Sequence, residues 1–160
     1  MSETALSHVD DRGEVRMVDV GSKAITTRSA VARARIRMGA QAYALLDAAV
    51  NAKGDVLNTA RIAGILAAKR CDTLIPLCHS LPLSFAGIEF ESDDARHSLE
   101  VIATCRSDYR TGVEMEAMTA CSIAALTIYD MCKAADKGIV IEQVRLESKT
   151  GGKSGSWQRD

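Results

Sequence analysis

The residues with the clearest chemical potential in this 160-residue chain flank one apolar segment. Glu114 and Glu116 stand at the start of the segment, and Asp130 and Lys133 stand near its end. Carboxylates and lysines can transfer protons, and a lysine can also stabilise a developing oxyanion. Asp130 and Lys133 are three residues apart, so they share a helix face if the segment is helical. The alternative interpretation is a buried structural ion pair, with carboxylates that favour a helix N-terminus.

The segment between these groups predicts one long buried helix over Thr111–Lys133. No charged side chain occurs from Ala117 to Tyr129, and apolar or small residues fall on every helical face. On such a helix Glu116 and Asp130 lie about 21 Å apart along the axis, although they return to nearly the same face. One small-molecule pocket cannot easily contain both, so we expect a two-fold axis to bring the start of one helix near the end of its partner.

Other basic side chains have two interpretations each. Lys53 precedes Gly54 at a turn before a helix, a position that favours anions but also suits an ordinary surface lysine. His79 lies in an otherwise apolar segment. It is interpreted either as a site residue or as a core histidine with a satisfied hydrogen bond. Lys149 and Lys153 lie among glycines, which suit a cationic flap or a disordered tail. The sequence there does not match a P-loop, because the first glycine of that motif is missing.

The composition bounds the class of protein. Acidic and basic residues nearly cancel, with a net charge of −1, which disfavours a nucleic-acid or membrane partner. The sequence has neither an apolar run of membrane-spanning length nor a signal segment, so we expect a cytoplasmic protein. The five cysteines form no CxxC pair and are expected to be reduced and mostly buried. Cys71, Cys78 and His79 match no usual zinc spacing, so we expect no metal site there. We expect no cofactor either.

The order of predicted elements indicates an α+β fold. We expect a mobile arm over residues 1–15, a single domain that carries the catalytic residues over 16–148, and a flexible glycine-rich tail over 149–160. Within the domain the order is strand, helix pair, strand, strand, helix, strand. That is the βαββαβ order of a ferredoxin-like sandwich, with an antiparallel sheet and helices on one face. Because the other sheet face is left open and the long helix is so apolar, we expect an oligomer.

Two patterns assign faces inside this fold. Alternate residues from Ala32 to Met38 are apolar and those between them are arginines, which predicts a strand with one face on the core. The arginine face is expected either in solvent or on an anion. A second helix is predicted from Asp55 or Asn58 to about Lys69, with an apolar stripe of Ile62, Ile65 and Leu66. The first helix is predicted over Gly39–Val50, and the other strands over Leu83–Glu91, Ser98–Cys105 and Ile139–Leu146.

Taken together, these segments resemble the cyclic pyranopterin monophosphate synthases of molybdenum cofactor biosynthesis (MoaC-type). The matching stretches are MVDVGSKAITTR at 17–28, KGDVLNTARIAGILAAKR at 53–70, LIPLCHSLPL at 74–83, TGVEMEAMTACSIAALTIYDMCKAADK at 111–137, and KTGGKSG at 149–155. The resemblance implies a lyase that converts a cyclic dihydro-GTP derivative, (8S)-3',8-cyclo-7,8-dihydroguanosine 5'-triphosphate, to cyclic pyranopterin monophosphate with release of pyrophosphate. It also implies a homohexamer, a trimer of dimers, with active sites at the dimer interfaces.

The resemblance further implies roles for individual residues. Asp130 matches the catalytic aspartate, Lys53 and Lys133 match the lysines of the site, and His79 is a suitable additional acid or base. Substrate contacts are implied at Leu77, Cys78, His79, Met115 and Glu116, and positions near the site at Lys23, Arg28, Glu114, Lys149 and Lys153. Ser80 is a departure, because the family usually has proline after the histidine.

Two other classes of function stay open at this point. One is a non-catalytic ferredoxin-like oligomer that senses a nucleotide through the same cations. The other is an RNA-binding domain that uses the arginine strand, which the few aromatic residues and the near-neutral charge disfavour.

Overall fold

A computed structural model describes residues 7–47 and 55–160. Its strands are β1 (Thr26–Arg37), β2 (Phe85–Asp93), β3 (Ser98–Tyr109), β4 (Val140–Thr150) and β5 (Trp157–Gln158), and its α-helices are α1 (Ala40–Asp47), α2 (Val56–Ala68), α3 (Cys71–Leu74) and α4 (Glu114–Cys132). The strands form one sheet in the order β2-β3-β1-β4-β5, and all of these pairings are antiparallel. Helix α4 packs on β1 and β3, and α2 packs on α4 and β2. The predicted α+β, ferredoxin-like fold is confirmed.

The central strand β1 has the two faces that its alternating sequence predicts. Ala32, Ala34 and Ile36 are fully buried in the core beneath the helices. On the other face, three arginines form ion pairs with acids of other strands: Arg33 with Glu91 on β2, Arg35 with Glu100 on β3, and Arg37 with Glu142 on β4. These arginines are therefore already partnered within the sheet, which weakens the interpretation of this face as an anion-binding surface.

Helix α2 begins at the first of its two predicted caps but buries a different face. The Asp55 carboxylate accepts a hydrogen bond from the backbone N–H of Asn58 at 2.9 Å. The buried residues are small or short: Val56, Ala60, Gly64, Ala67 and Ala68. The predicted stripe was wrong for Ile62 and Leu66, whose exposed fractions are 61% and 45%, whereas Ile65 is partly buried against the core.

The close approach of α2 to α4 explains this difference. A Cβ atom added at Gly64 would lie 2.9 Å from the backbone oxygen of Ala120 and 3.0 Å from the side chain of Ile88. Only small residues fit at this crossing. The close packing of the two helices, rather than the hydrophobicity of individual side chains, therefore determines which face of α2 is buried.

Some predicted boundaries also change. Helix α4 begins at Glu114 rather than Thr111, and it is not buried all round, because Leu126 is exposed in the single chain. Strand β4 continues past Leu146, its predicted end, to Thr150, because it stays paired with the start of β1. Lys149 is thus part of a strand, and β5 pairs beside it. The mobility of the two termini stays a prediction. No helix in the described ranges is long and apolar enough to cross a membrane.

Candidate active site

Two adjoining pockets open at one corner of the sheet. Because β3 and β4 run antiparallel to β1, the start of β1 lies beside the ends of β3 and β4, and α4 begins at the same corner. The larger pocket has a volume of about 700 Å³ and the smaller one about 400 Å³. Both are lined by Lys23, Thr111, Gly112 and Glu114, so the two spaces are neighbours. Their combined size suits a nucleotide-sized ligand.

The larger pocket is strongly cationic. Its lining includes five basic side chains, Lys23, Arg28, Arg110, Lys149 and Lys153, and one carboxylate, Glu114. The Glu114 carboxylate forms an ion pair of 2.7 Å with the Lys149 ammonium group. A concave surface with this excess of positive charge attracts anions, even though the protein as a whole is nearly neutral.

A glycine turn after β4 completes the wall of the larger pocket. Gly151 and Gly152 have φ angles of +94° and +77°, in the left-handed region that glycine adopts without steric cost. A Cβ atom at Gly151 would overlap the backbone oxygen of Thr27, and one at Gly152 would overlap the Arg28 guanidinium. Arg28 itself donates to the backbone oxygens of Tyr109 and Arg110, both at 3.4 Å. The two glycines therefore let the chain pass directly over Arg28.

The smaller pocket contains a buried carboxyl group. Glu116, in the first turn of α4, is only 4% exposed. The pKa of its carboxyl is raised to about 7, mainly by burial, and the negative charges of Glu114 and Asp72 act in the same direction. At neutral pH this group is close to half protonated, so it can either donate or accept a proton.

His79 lines the same pocket and is held by one ring nitrogen. Its Nε2–H donates to the backbone oxygen of Val18 at 2.6 Å, since a carbonyl oxygen can only accept. In the neutral ring the basic nitrogen is then Nδ1. The hydrogen bond also joins the loop after α3 to the segment before β1, which carries Lys23.

The thiol of Cys78 belongs to the wall of the smaller pocket, together with Leu77 and Met115. Its Sγ atom lies 4.0 Å from the Sγ atom of Cys71. Burial raises the pKa of the Cys78 thiol, and it raises that of Cys71 to about 12. Both thiols are neutral at physiological pH, so Cys78 contributes a neutral contact surface rather than a nucleophile. All five cysteines are free, and four of them are buried, as predicted.

Asp130 and Lys133 lie at the opposite end of α4 and line neither pocket of the single chain. Their side chains are 69% and 51% exposed and form an ion pair of 2.5 Å. The interpretation as a buried structural pair therefore does not apply within one chain. The hydrogen bond to Asp130 and its charge raise the pKa of Lys133, which makes Lys133 a cation rather than a base in this arrangement. Lys53 lies outside the described residues.

The structure thus brings ten of the predicted residues to the two pockets: Lys23, Arg28, Leu77, Cys78, His79, Glu114, Met115, Glu116, Lys149 and Lys153. It also adds residues that sequence reasoning missed, namely Thr26 and Arg110 in the larger pocket and His8 in the smaller one. One feature of the sequence could have identified Arg110, namely its position directly before the Thr111–Gly112 pair. Within the described residues, no three His, Cys, Asp or Glu side chains are grouped so that they could hold a metal ion.

An α+β fold with a cationic cleft beside a pocket lined by a titratable carboxyl and an imidazole has the features of a protein that binds a small anionic molecule and exchanges protons with it. The chain belongs to the MoaC family, whose family model matches residues 17–152. The family predicted from the sequence is confirmed.

Three relatives illustrate the similarity, and each is named cyclic pyranopterin monophosphate synthase. The protein of Bordetella avium is 71% identical over 97% of this chain and 96% of its own length. The protein of Bordetella pertussis is 67% identical over the full length of both chains. The more distant protein of Chloroflexus aurantiacus is 58% identical over 96% of this chain and 94% of its own length.

Proposed function

We propose that this chain is a lyase that converts (8S)-3',8-cyclo-7,8-dihydroguanosine 5'-triphosphate to cyclic pyranopterin monophosphate and pyrophosphate, in molybdenum cofactor biosynthesis. Its membership of the MoaC family and the names of its relatives support this activity. The structural observation that carries the proposal is the pair of adjoining pockets. One has the charge that a triphosphate needs, and the other has the acid–base groups that a ring rearrangement needs.

The larger pocket would hold the triphosphate. Release of pyrophosphate with closure of a cyclic phosphate requires a hydroxyl of the substrate to attack the α-phosphorus while the bond from that phosphorus to the β-bridging oxygen breaks. Negative charge increases on the leaving pyrophosphate during this step. Cations such as Lys23, Lys149 and Lys153 would neutralise it without reorganisation of water. The proton of the attacking hydroxyl must pass to a base.

The smaller pocket would hold the guanine-derived rings. Formation of the pyranopterin requires protons to leave and enter at nitrogen and oxygen atoms of these rings. Glu116 suits both directions, because its pKa of about 7 leaves each form populated at neutral pH. His79 offers a second acid or base through Nδ1, and Leu77, Cys78 and Met115 would pack on the flat faces of the ligand.

Asp130 and Lys133 enter this proposal through a second subunit, and Lys53 is proposed as a further lysine of the site. Asp130 follows Glu116 by fourteen residues on one helix, about 21 Å along its axis, so a single chain does not offer both to one ligand. A dimer with a two-fold axis would supply the missing end of α4 from the partner, within the trimer of dimers that the family resemblance implies. The exposed side chains of Ile62, Leu66 and Leu126 support burial against other subunits. A cytoplasmic location also stays a prediction.

The experiment that tests the function is incubation of the purified chain with the cyclised triphosphate. Pyrophosphate is measured by a coupled enzymatic assay, and the pterin product is measured by its fluorescence after oxidation. The proposal expects both products in equal amounts, with no pyrophosphate from GTP itself. Tight binding of the substrate without release of pyrophosphate would instead favour the nucleotide-sensing alternative.

A further inference from the structure

We propose that Arg110 is a further substrate-binding residue, whose guanidinium binds the phosphate chain in the larger pocket while the hydroxyl of Thr26 donates to the same anion. The identity of the anion as the substrate's triphosphate rests on the proposed function. The anion site itself rests on the structure alone.

The register of the sheet places these two residues together. Thr26 is the first residue of β1 and pairs with Tyr109, the last residue of β3. Arg110 follows Tyr109 directly, so Arg110 and Thr26 meet at the corner where the larger pocket opens. Both residues line that pocket.

Both residues also lack hydrogen-bond partners for buried polar atoms. Among the described residues, Nε of Arg110 and Oγ1 of Thr26 are buried and have no hydrogen-bond partner. Buried polar groups in folded proteins are almost always hydrogen-bonded, because an unmade bond costs free energy. Two unpartnered groups in the wall of one pocket therefore indicate a ligand that supplies acceptors to both.

The charge of the pocket favours a polyanion as that ligand. The carboxylate of Glu114 already forms an ion pair with Lys149. Arg28 donates to the backbone oxygen of Arg110 and lines the same pocket, so two arginines contribute to its positive charge. Phosphate groups offer several acceptor oxygens in the geometry that a guanidinium fork matches. A change of side-chain rotamer is sufficient for an arginine or a threonine to turn such atoms toward a ligand.

The test uses Arg110→Met, Arg110→Lys and Thr26→Val in the full chain, with Arg96→Met as the matched control. Arg96 is an exposed arginine in the turn between β2 and β3, at the far end of β3 from Arg110. Affinity for inorganic tripolyphosphate and for pyrophosphate is measured by calorimetry, and melting temperature is measured with and without each anion. Steady-state kinetics with the cyclised triphosphate then separate KM from kcat.

We expect Arg110→Met to weaken tripolyphosphate binding about ten- to a hundred-fold, as loss of charge-assisted hydrogen bonds does. KM should rise by a similar factor with a smaller change in kcat, and Arg110→Lys should restore part of the affinity. Thr26→Val should weaken binding less while the melting temperature of the free protein stays equal or rises, because its hydroxyl has no partner to lose. A structural role would lower that temperature instead. Arg96→Met should change none of these values.

Unchanged affinity for both anions in Arg110→Met and Thr26→Val would overturn the proposal. So would lower melting temperatures together with dissociation of an oligomer, since the missing acceptors would then belong to another subunit. The test also separates this inference from the proposed function. Binding of tripolyphosphate through Arg110 without turnover of the cyclised substrate would refute the function alone, whereas full turnover by Arg110→Met would refute the role of Arg110 alone.

Discussion

Glu114 and Lys149 connect the first turn of α4 to the end of β4 through an ion pair of 2.7 Å on the wall of the larger pocket. Lys149 is the last residue but one of β4, and the Gly151–Gly152 turn follows directly. The pair therefore positions that turn relative to the helix start. Of the described residues, Glu114 is the one carboxylate in the lining of the larger pocket, and it pairs with Lys149. The charges of the other four cations are therefore not neutralised within that lining.

The two partners of this pair should affect anion binding in opposite directions. Lys149→Met removes a cation, so we expect affinity for tripolyphosphate to fall about ten-fold. Glu114→Gln removes the compensating negative charge, so affinity should stay equal or rise. Calorimetric titration of both variants measures this difference. Arg33→Met, which breaks an ion pair with Glu91 on the open face of the sheet, is the control. A fall in affinity in both pocket variants would mean that the ion pair itself shapes the site.

Glu116 makes a pH-dependent contribution to stability. Its pKa is about 7 in the folded chain against an ordinary value of 4.5, so between these pH values the folded state keeps a proton that the unfolded state has lost. Stability therefore decreases as pH rises from about 4.5 to about 7 and is constant above, by about 3 kcal/mol in total for this group.

Glu116→Gln removes this dependence, so the stability of the variant relative to the parent should increase as the pH rises from about 5 to about 7. Urea unfolding at several pH values measures the difference. The matched control is Glu89→Gln on β2, where the side chain is exposed. A stability difference between Glu116→Gln and the parent that stays constant with pH would show that the carboxyl group ionises normally in the folded chain.

Sequence patterns predicted those elements whose structure is determined by one strong local signal, such as a hydrophobic period or a helix cap. The alternation in β1 and the Asp55 cap of α2 are local signals, and both were correct. The buried face of α2 was not predictable in this way, because Gly64 and Ala60 are buried for their small size at a helix crossing. Hydrophobic periodicity instead favoured Ile62, which is exposed.

In the candidate site, too, local signals were visible in the sequence and contacts between distant residues were not. Glu116 and His79 were considered from the sequence because a charged or titratable side chain is unusual among apolar neighbours, and the family resemblance implied their substrate contacts. Arg110 was missed because an arginine at the end of a strand is ordinary in sequence. Its significance comes from the register that places it beside Thr26, and from polar atoms left without partners there. Such relations depend on contacts distant in sequence, which periodicity does not encode.

Anion binding should depend on the absence of a side chain at Gly152 but not at Gly155. Both have positive φ angles, so Gly152→Ala and Gly155→Ala should each cost about 1 kcal/mol in backbone strain. Only a Cβ atom at Gly152 would overlap the Arg28 guanidinium, whereas one at Gly155 would meet nothing within 4 Å. We expect Gly152→Ala to weaken tripolyphosphate binding several-fold more than Gly155→Ala. Equal effects of the two variants on calorimetric affinity would contradict a role for the turn over Arg28.

Asp130 and Lys133 should matter for turnover far more than for stability. An exposed ion pair contributes little to stability, so Asp130→Asn and Lys133→Ala should leave the melting temperature nearly unchanged. If both belong to a shared site, each variant should lose about two orders of magnitude or more in turnover, as removal of an acid, base or oxyanion donor commonly does. Asp93 and Arg96 form a similarly spaced exposed pair, and variants of that pair should keep full activity. Normal turnover in Asp130→Asn would remove it from the site.

Complementation between two inactive variants tests whether sites are shared between subunits. Glu116 and Asp130 lie at opposite ends of α4, and only Glu116 lines a pocket of its own chain. Glu116→Gln and Asp130→Asn chains should each be inactive alone. In a mixed dimer with shared sites, one site would contain both native residues and the other would contain both substitutions.

Random reassembly of the two variants in equal amounts makes about half of the dimers mixed, and each mixed dimer has one native site out of two. Activity should therefore return to about a quarter of the parent value. The parent chain, unfolded and reassembled in parallel, corrects for incomplete recovery, and native mass spectrometry confirms that mixed oligomers form. If activity stays at the level of the separate variants although mixed oligomers are present, the two residues do not combine across a subunit interface. Asp130 would then have to act outside the pocket that contains Glu116, and the two-fold arrangement proposed for the site would be wrong.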